Sequence, residues 1–102
     1  MPCIKWTQSA LQDVQRLYQF LEKRNVSAAR KAIKTIRANL NILVKHPEIG
    51  RPMDYMDVEY REHVIAYGHS GYLALYYYDG ETVVILAVRH RAEVGYSFSP
   101  DS

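Results

Sequence analysis

Asp79-Gly80 lies between two apolar runs, "YLALYYY" at 72–78 and "TVVILAV" at 82–88. This arrangement leaves little freedom. Aspartate followed by glycine favours a tight reversal, because glycine takes the positive φ that a type I′ turn needs. The flanking runs are rich in β-branched and aromatic residues, so they are expected to pair as an antiparallel hairpin. The second run has no polar interruption after Thr82, which fits a central strand covered on both faces. A third segment, "YREHVIAY" at 60–67, precedes them, with "GHSG" at 68–71 turning the chain. Together they predict a three-stranded meander.

The N-terminal half has a different period. After a short strand candidate, "CIKW" at 3–6, Ala10, Leu11, Val14, Leu17, Tyr18 and Leu21 recur in steps of three and four. This spacing predicts a helix from Gln8 to about Arg24, capped by Thr7 or Ser9. Phe20 falls on its flank. Arg24-Asn25-Val26 breaks the pattern, and Ser27 is positioned to cap a second helix reaching about Lys45. Its apolar side holds Ala29, Ala32, Ile33, Ile36, Leu40 and Leu43. Pro47 ends it. Two amphipathic helices with a tight connection imply an antiparallel αα-hairpin. The expected fold is therefore α+β, in the order β-α-α-β-β-β, with the hairpin packed on an antiparallel β-sheet. The 102 residues suffice for one domain across 1–102, with 97–102 expected to fray.

Composition limits the chemistry. Cys3 is the only cysteine, which excludes an internal disulfide and a thiolate metal cluster and points to a reducing, cytoplasmic setting. His46, His63 and His69 lack metal-ligand spacing, so no metal and no cofactor are expected. No signal-like or membrane-spanning apolar run is evident, so no membrane partner is expected. The net charge of +2 permits an acidic partner without requiring one. Arg30, Lys34, Arg37 and Lys45 form a stripe on the second helix, which reads as a solvated face open to an acidic protein.

The chemistry-bearing residues gather elsewhere. The long connection 46–59 contains Pro47, Gly50, Arg51 and Pro52 in a "P-x-x-G-R-P" pattern. Glycine permits the turn, proline stiffens it, and Arg51 is expected to pin the loop to an acidic neighbour. Tyr60-Arg61-Glu62 opens the meander. The last strand leaves the sheet through Arg89-His90-Arg91, followed by Tyr96. Alternation places His90 on the face opposite Arg89 and Arg91 if the strand reaches that far.

This ordered set resembles the ParE/RelE superfamily of bacterial type II toxin–antitoxin toxins, which includes plasmid-stabilisation proteins, over residues 4 to 96. The resemblance implies growth arrest and neutralisation by a short, acidic cognate antitoxin in a hetero-oligomer. Two targets are known in the superfamily. A RelE-like member, a ribosome-dependent mRNA endoribonuclease, would use His90, Arg61, Arg91 and Tyr96 as its catalytic set, with His90 as acid or base. A ParE-like member would inhibit DNA gyrase through Arg61, Arg89, His90 and Arg91 as a contact surface. An inactive protein-binding member is a third alternative. Residues 46–78 contain Arg51 and Arg61 but no lysine, and carry Glu48, Asp54, Asp57, Glu59 and Glu62. Such acids repel a phosphate, which favours the ParE-like branch. Phe20, Tyr72 and Tyr76 are the expected antitoxin-binding residues.

Overall fold

The structure is a computed structural model that describes residues 3–93, 95 and 96. The expected fraying of 97–102 lies outside the described residues. The elements are β1 (Cys3–Trp6), α1 (Gln8–Glu22), α2 (Val26–Lys45), β2 (Arg51–Pro52), β3 (Tyr60–Tyr67), β4 (Ser70–Tyr78) and β5 (Thr82–His90). They form a five-stranded sheet in the order β1-β5-β4-β3-β2, with both helices on one face. The α+β class and the helix hairpin are as expected. The sheet differs in two respects. β1 pairs with β5 in parallel, which makes the sheet mixed, and β2 adds a two-residue edge strand against β3. The helix hairpin carries the chain across the sheet between β1 and the meander, and this separation is what permits a parallel pair.

Local chemistry sets the element ends. Thr7 caps α1 by accepting from the Ala10 N–H at 3.1 Å. Asn25, rather than Ser27, caps α2, accepting from Ala28 N–H at 3.1 Å. The reversal at Asp79-Gly80 is wider than a two-residue turn, because Tyr78 pairs with Val83. Gly80 takes a φ of +100°, and one Asp79 carboxylate oxygen accepts from Glu81 N–H and Thr82 N–H, both at 2.9 Å. An Asx-type bond thus replaces the type I′ geometry.

The main core lies between the helices and the sheet. Leu17, Ile36, Leu40 and Leu43 meet Ile65, Tyr76, Val83, Ile85 and Val88. A smaller cluster of Leu75, Leu86 and Ala87 lies on the open face. Periodicity alone would not separate the two, because β5 carries a bulge. The partner of Leu75 is Ala87 and that of Tyr76 is Ile85, which leaves Leu86 unpaired. Leu86 and Ala87 therefore both face the open side, and the alternation beyond them is reversed. Val88 and His90 turn to the helix face, and Arg89 to the open one.

β1 ends at Trp6, opposite Ile85, while β5 continues to His90. Side chains of α1 and of its cap serve the remaining edge. Thr7 Oγ1 donates to Ile85 O at 2.9 Å, and the buried Asp13 carboxylate accepts from Val88 N–H at 3.0 Å. Removing the Asp13 carboxylate leaves a buried N–H without its acceptor. Asp13→Ala is expected to cost about 1–3 kcal/mol in urea unfolding, and Asp13→Asn, which keeps an acceptor oxygen, much less.

His63 sits on the helix face of β3, opposite Ala74, and its buried Nε2 has no hydrogen-bond partner among the described residues. Burial lowers its pKa below the ordinary 6.5. The unfolded chain therefore binds the proton more tightly. Stability is full above 6.5 and falls as the pH drops from there through the lower folded value. His63→Leu should flatten this part of the stability–pH curve in thermal unfolding between about pH 7 and 5.

Candidate functional site

Three separate polar arrangements surround the meander. The first is a clamp on the 46–59 loop. Tyr76 Oη donates to Pro47 O at 2.8 Å and accepts from Gly50 N–H at 2.9 Å. Arg61, opposite Tyr76 in the sheet, donates to Glu48 O at 3.0 Å and Gly50 O at 2.7 Å. The approach is close enough that a Cβ on Gly50 would stand 2.6 Å from Tyr76 Oη and 2.9 Å from Glu62 O. Glycine is required here for space. Tyr76 is fully buried, with 0% exposure, so the ring expected to meet an antitoxin is seated in the core instead.

The second arrangement occupies the open face. Glu62 is only 3% exposed, yet it is a carboxylate. Oε1 accepts from Arg51 Nη2 at 2.8 Å and Nε at 3.2 Å, while Oε2 accepts from Tyr96 Oη at 2.5 Å. Arg51 and Glu62 are direct partners across β2 and β3, so the expected pinning of Arg51 has this residue as its acceptor. Burial alone would push the Glu62 pKa up. The Tyr96 and Arg51 bonds and the charges of Arg51 and Arg89 outweigh it and hold the carboxyl below its ordinary value. Tyr96 responds oppositely. Burial and its bond to Glu62 push the phenol well above its usual range. The Arg89 guanidinium lies 4.9 Å from the Tyr96 ring centre and donates to Glu93 O.

The third lies on the helix face at the end of β5. His90 Nδ1 accepts from Ala92 N–H at 3.0 Å, which places the ring proton on Nε2, 3.0 Å from Ser70 Oγ. The ring meets Tyr72 edge-on at 5.4 Å. Glu93 accepts from His90 N–H at 2.8 Å and from Arg16 at 2.7 Å. These bonds outweigh burial and lower the Glu93 pKa. Beside His90 a cleft of about 640 Å³ opens between α1 and β4, lined by Leu17, Phe20, Tyr72, Arg16 and Arg24. Phe20 is 60% exposed on its rim, with Arg24 stacked 5.5 Å from its ring centre.

The residues singled out in the sequence thus divide. Arg89 and Tyr96 share the open face, Phe20, Tyr72 and His90 share the helix-side cleft, and Arg61 belongs to the loop clamp. Arg91 is exposed in the turn beyond β5, its N–H donating to Gly71 O at 3.0 Å. The roles of Glu62, Glu93 and Arg16 were missed. Glu62 carried one signal, an acid alternating with apolar residues in a strand that needs a cation opposite. Among the described residues no three His, Cys, Asp or Glu side chains come together as a metal site, and no helix is long and apolar enough to cross a membrane.

A helix hairpin on one face of a small meander sheet, with a clamped Gly-Arg-Pro loop and a basic strand exit, defines a toxin of the ParE/RelE superfamily of type II toxin–antitoxin systems. Residues 4–95 match the model of the family "ParE toxin of type II toxin-antitoxin system, parDE", and the chain belongs to that family. It is 32% identical over 84 residues to Toxin RelE3 of Caulobacter vibrioides, covering 82% of this chain and 88% of that one. Its fold is similar to a chain of the chromosomal ParDE toxin–antitoxin system from P. aeruginosa, with a TM-score of 0.69 at 22% identity over 88% of this chain and 96% of that one. A chain of the RelBE2 toxin–antitoxin complex from Mycobacterium tuberculosis matches with a TM-score of 0.54 at 25% identity, over 89% of this chain and 100% of that one.

Arg51→Met leaves Glu62 with Tyr96 as its donor and should lower stability at neutral pH, by an amount that solvent screening of the largely exposed Arg51 keeps modest. Folded Glu62 holds its proton less tightly than the unfolded chain. The deficit relative to wild type is therefore complete above the ordinary 4.5 and shrinks as the pH falls through the lower folded value. Urea titrations of both proteins at neutral and acidic pH measure it.

Proposed function

We propose that this toxin arrests growth by inhibiting DNA gyrase in the cytoplasm and that a short acidic antitoxin neutralises it. The observation that carries this reading is the distribution of the exit residues over opposite faces of the sheet. General acid–base cleavage of RNA needs proton-transfer groups and cations within reach of one phosphate. His90 faces the helices with both ring nitrogens engaged, Arg61 is bound to two loop carbonyls, and Arg89 is on the other side. A binding surface needs no such convergence. Arg89 and Arg91, with Tyr96 between sheet and solvent, supply cationic and aromatic contact groups of the kind that dominate interfaces. Phe20 and the neighbouring Tyr72 cleft remain the antitoxin-binding candidates.

The ribosome-dependent endoribonuclease is the alternative. What favours it is that Arg89, Tyr96 and Glu62 do share the open face.

Both readings are tested with the purified chain in two assays. Gyrase supercoiling should fall and trapped DNA cleavage complexes should rise. Arg89→Ala/Arg91→Ala should weaken both effects by roughly tenfold or more, the loss of about 1.4 kcal/mol of contact. Translating ribosomes should show no codon-dependent mRNA cuts. Unchanged gyrase activity together with ribosomal cuts that Tyr96→Phe abolishes would establish the alternative.

A further inference from the structure

The α2 helix has an unusual charge inventory. Over its 20 residues it carries Arg30, Lys31, Lys34, Arg37 and Lys45 and no aspartate or glutamate. All five cations are exposed, and among the described residues none is in an ion pair. A solvated helix face commonly interleaves acids and bases at i, i+4, which stabilises it. Here Arg30 faces Lys34, and Lys34 faces Arg37, like charge against like. The acids are elsewhere, seven of the eleven falling between residues 48 and 81. The molecule is therefore polarised, with the hairpin as its positive side.

The cations are also aligned. At 3.6 residues per turn, Arg30, Lys34, Arg37 and Lys45 fall within an arc of about 80°, with the exposed Asn41 among them. At 1.5 Å per residue the ridge extends about 22 Å, a length over which one strand of B-DNA presents about six phosphates. Trp6 and Tyr18 line a cleft of about 550 Å³ in the seam between the helices. Tyr18 also borders a shallow hollow with Arg30, Lys34 and Arg37, so one ring flanks the ridge. Single-stranded nucleic acid is held by successive stacking platforms, and one half-buried tyrosine on the flank does not supply a row of them. A straight cationic ridge of this length fits the sugar–phosphate wall of a duplex, a contact that positions without reading sequence.

We propose that the Arg30, Lys34, Arg37 and Lys45 ridge of α2 is a docking surface for the phosphate backbone of double-stranded DNA. Repulsion along the ridge is relieved when phosphates neutralise it, and released counterions drive the association. The acidic 48–81 region turns away from the duplex and orients the molecule on it.

The test uses the full chain and a fluorescent mixed-sequence DNA duplex, followed by anisotropy across a salt series. No gyrase or ribosome is present, so the outcome is separate from the choice of target. Binding should weaken with salt with a log–log slope of magnitude about 3–4, as four neutralised phosphates give. Lys34→Gln/Arg37→Gln should lower affinity by about tenfold and the slope by about two. Lys5→Gln/Lys23→Gln removes the same charge off the ridge and should leave both values close to wild type, with circular dichroism confirming that each variant is folded. The proposal is overturned if the duplex fails to bind at low salt, or if the two double variants lose affinity equally. Tighter binding of a single strand of the same sequence, or of a polyglutamate peptide, overturns it as well, the latter assigning the ridge to an acidic protein.

Discussion

The short first strand leaves β5 with a problem that the rest of the molecule solves. β1 pairs as far as Ile85, and β5 runs on to His90 with backbone groups facing α1 rather than another strand. Buried N–H and C=O groups need partners. Thr7, Asp13 and Arg16 supply them, Thr7 to Ile85 O, Asp13 to Val88 N–H and Arg16 to Val88 O at 3.4 Å. These three residues fix how α1 lies on the sheet, beyond what apolar packing alone would specify. Arg16 then continues to Glu93, which holds the His90 N–H. The placement of the basic exit segment is thus a consequence of how α1 completes an edge.

The bulge at Leu86 is the second determinant. Simple alternation from Val83 and Ile85 would set Arg89 on the helix face and His90 on the open one. One extra residue exchanges them. His90 is then enclosed by Ser70, Tyr72 and Ala92, and Arg89 meets Tyr96 and the Glu62 network. The same three-residue motif without a bulge would present its histidine beside Glu62 and Arg51, a different chemical surface. The division of functional groups follows from one position in an apolar run.

This also shows what a sequence conveys and what it hides. Both helices are visible in the steps of three and four at Leu17, Leu21, Ile36, Leu40 and Leu43, because each must bury one stripe. The hairpin is visible in Asp79-Gly80, and Phe20 in its position off the stripe. The bulge is hidden because "VVILAV" is apolar on every side, so no polar residue marks the change of face. Tyr76 is hidden for a related reason. In "YLALYYY" each tyrosine can serve core or surface, and only the partners of its hydroxyl, Pro47 O and Gly50 N–H, show that it closes the loop. The parallel β1–β5 pair depends on the path of the whole hairpin, which no local pattern records. The Gly50-Arg51-Pro52 pattern was legible as a stiff turn, whereas its partners Tyr76 and Glu62 lie in strands distant in sequence.

The open-face network bears on the proposed target through competition for donors. Glu62 already takes the Arg51 guanidinium and the Tyr96 proton. A phosphate entering there would need the same donors, and it would meet a carboxylate whose lowered pKa keeps it ionised at neutral pH. To bind, it must displace Glu62 from buried, charge-assisted bonds, and each such bond is stronger than its neutral counterpart. Leaving Glu62 buried without them carries a further desolvation penalty. Arg89 is the cation nearest that network whose charge is not matched by a carboxylate in an ion pair among the described residues. One guanidinium stacked on a tyrosine is little to hold a phosphorane and much to offer a protein surface. The electrostatics of Glu62 therefore weigh on the side of contact rather than cleavage.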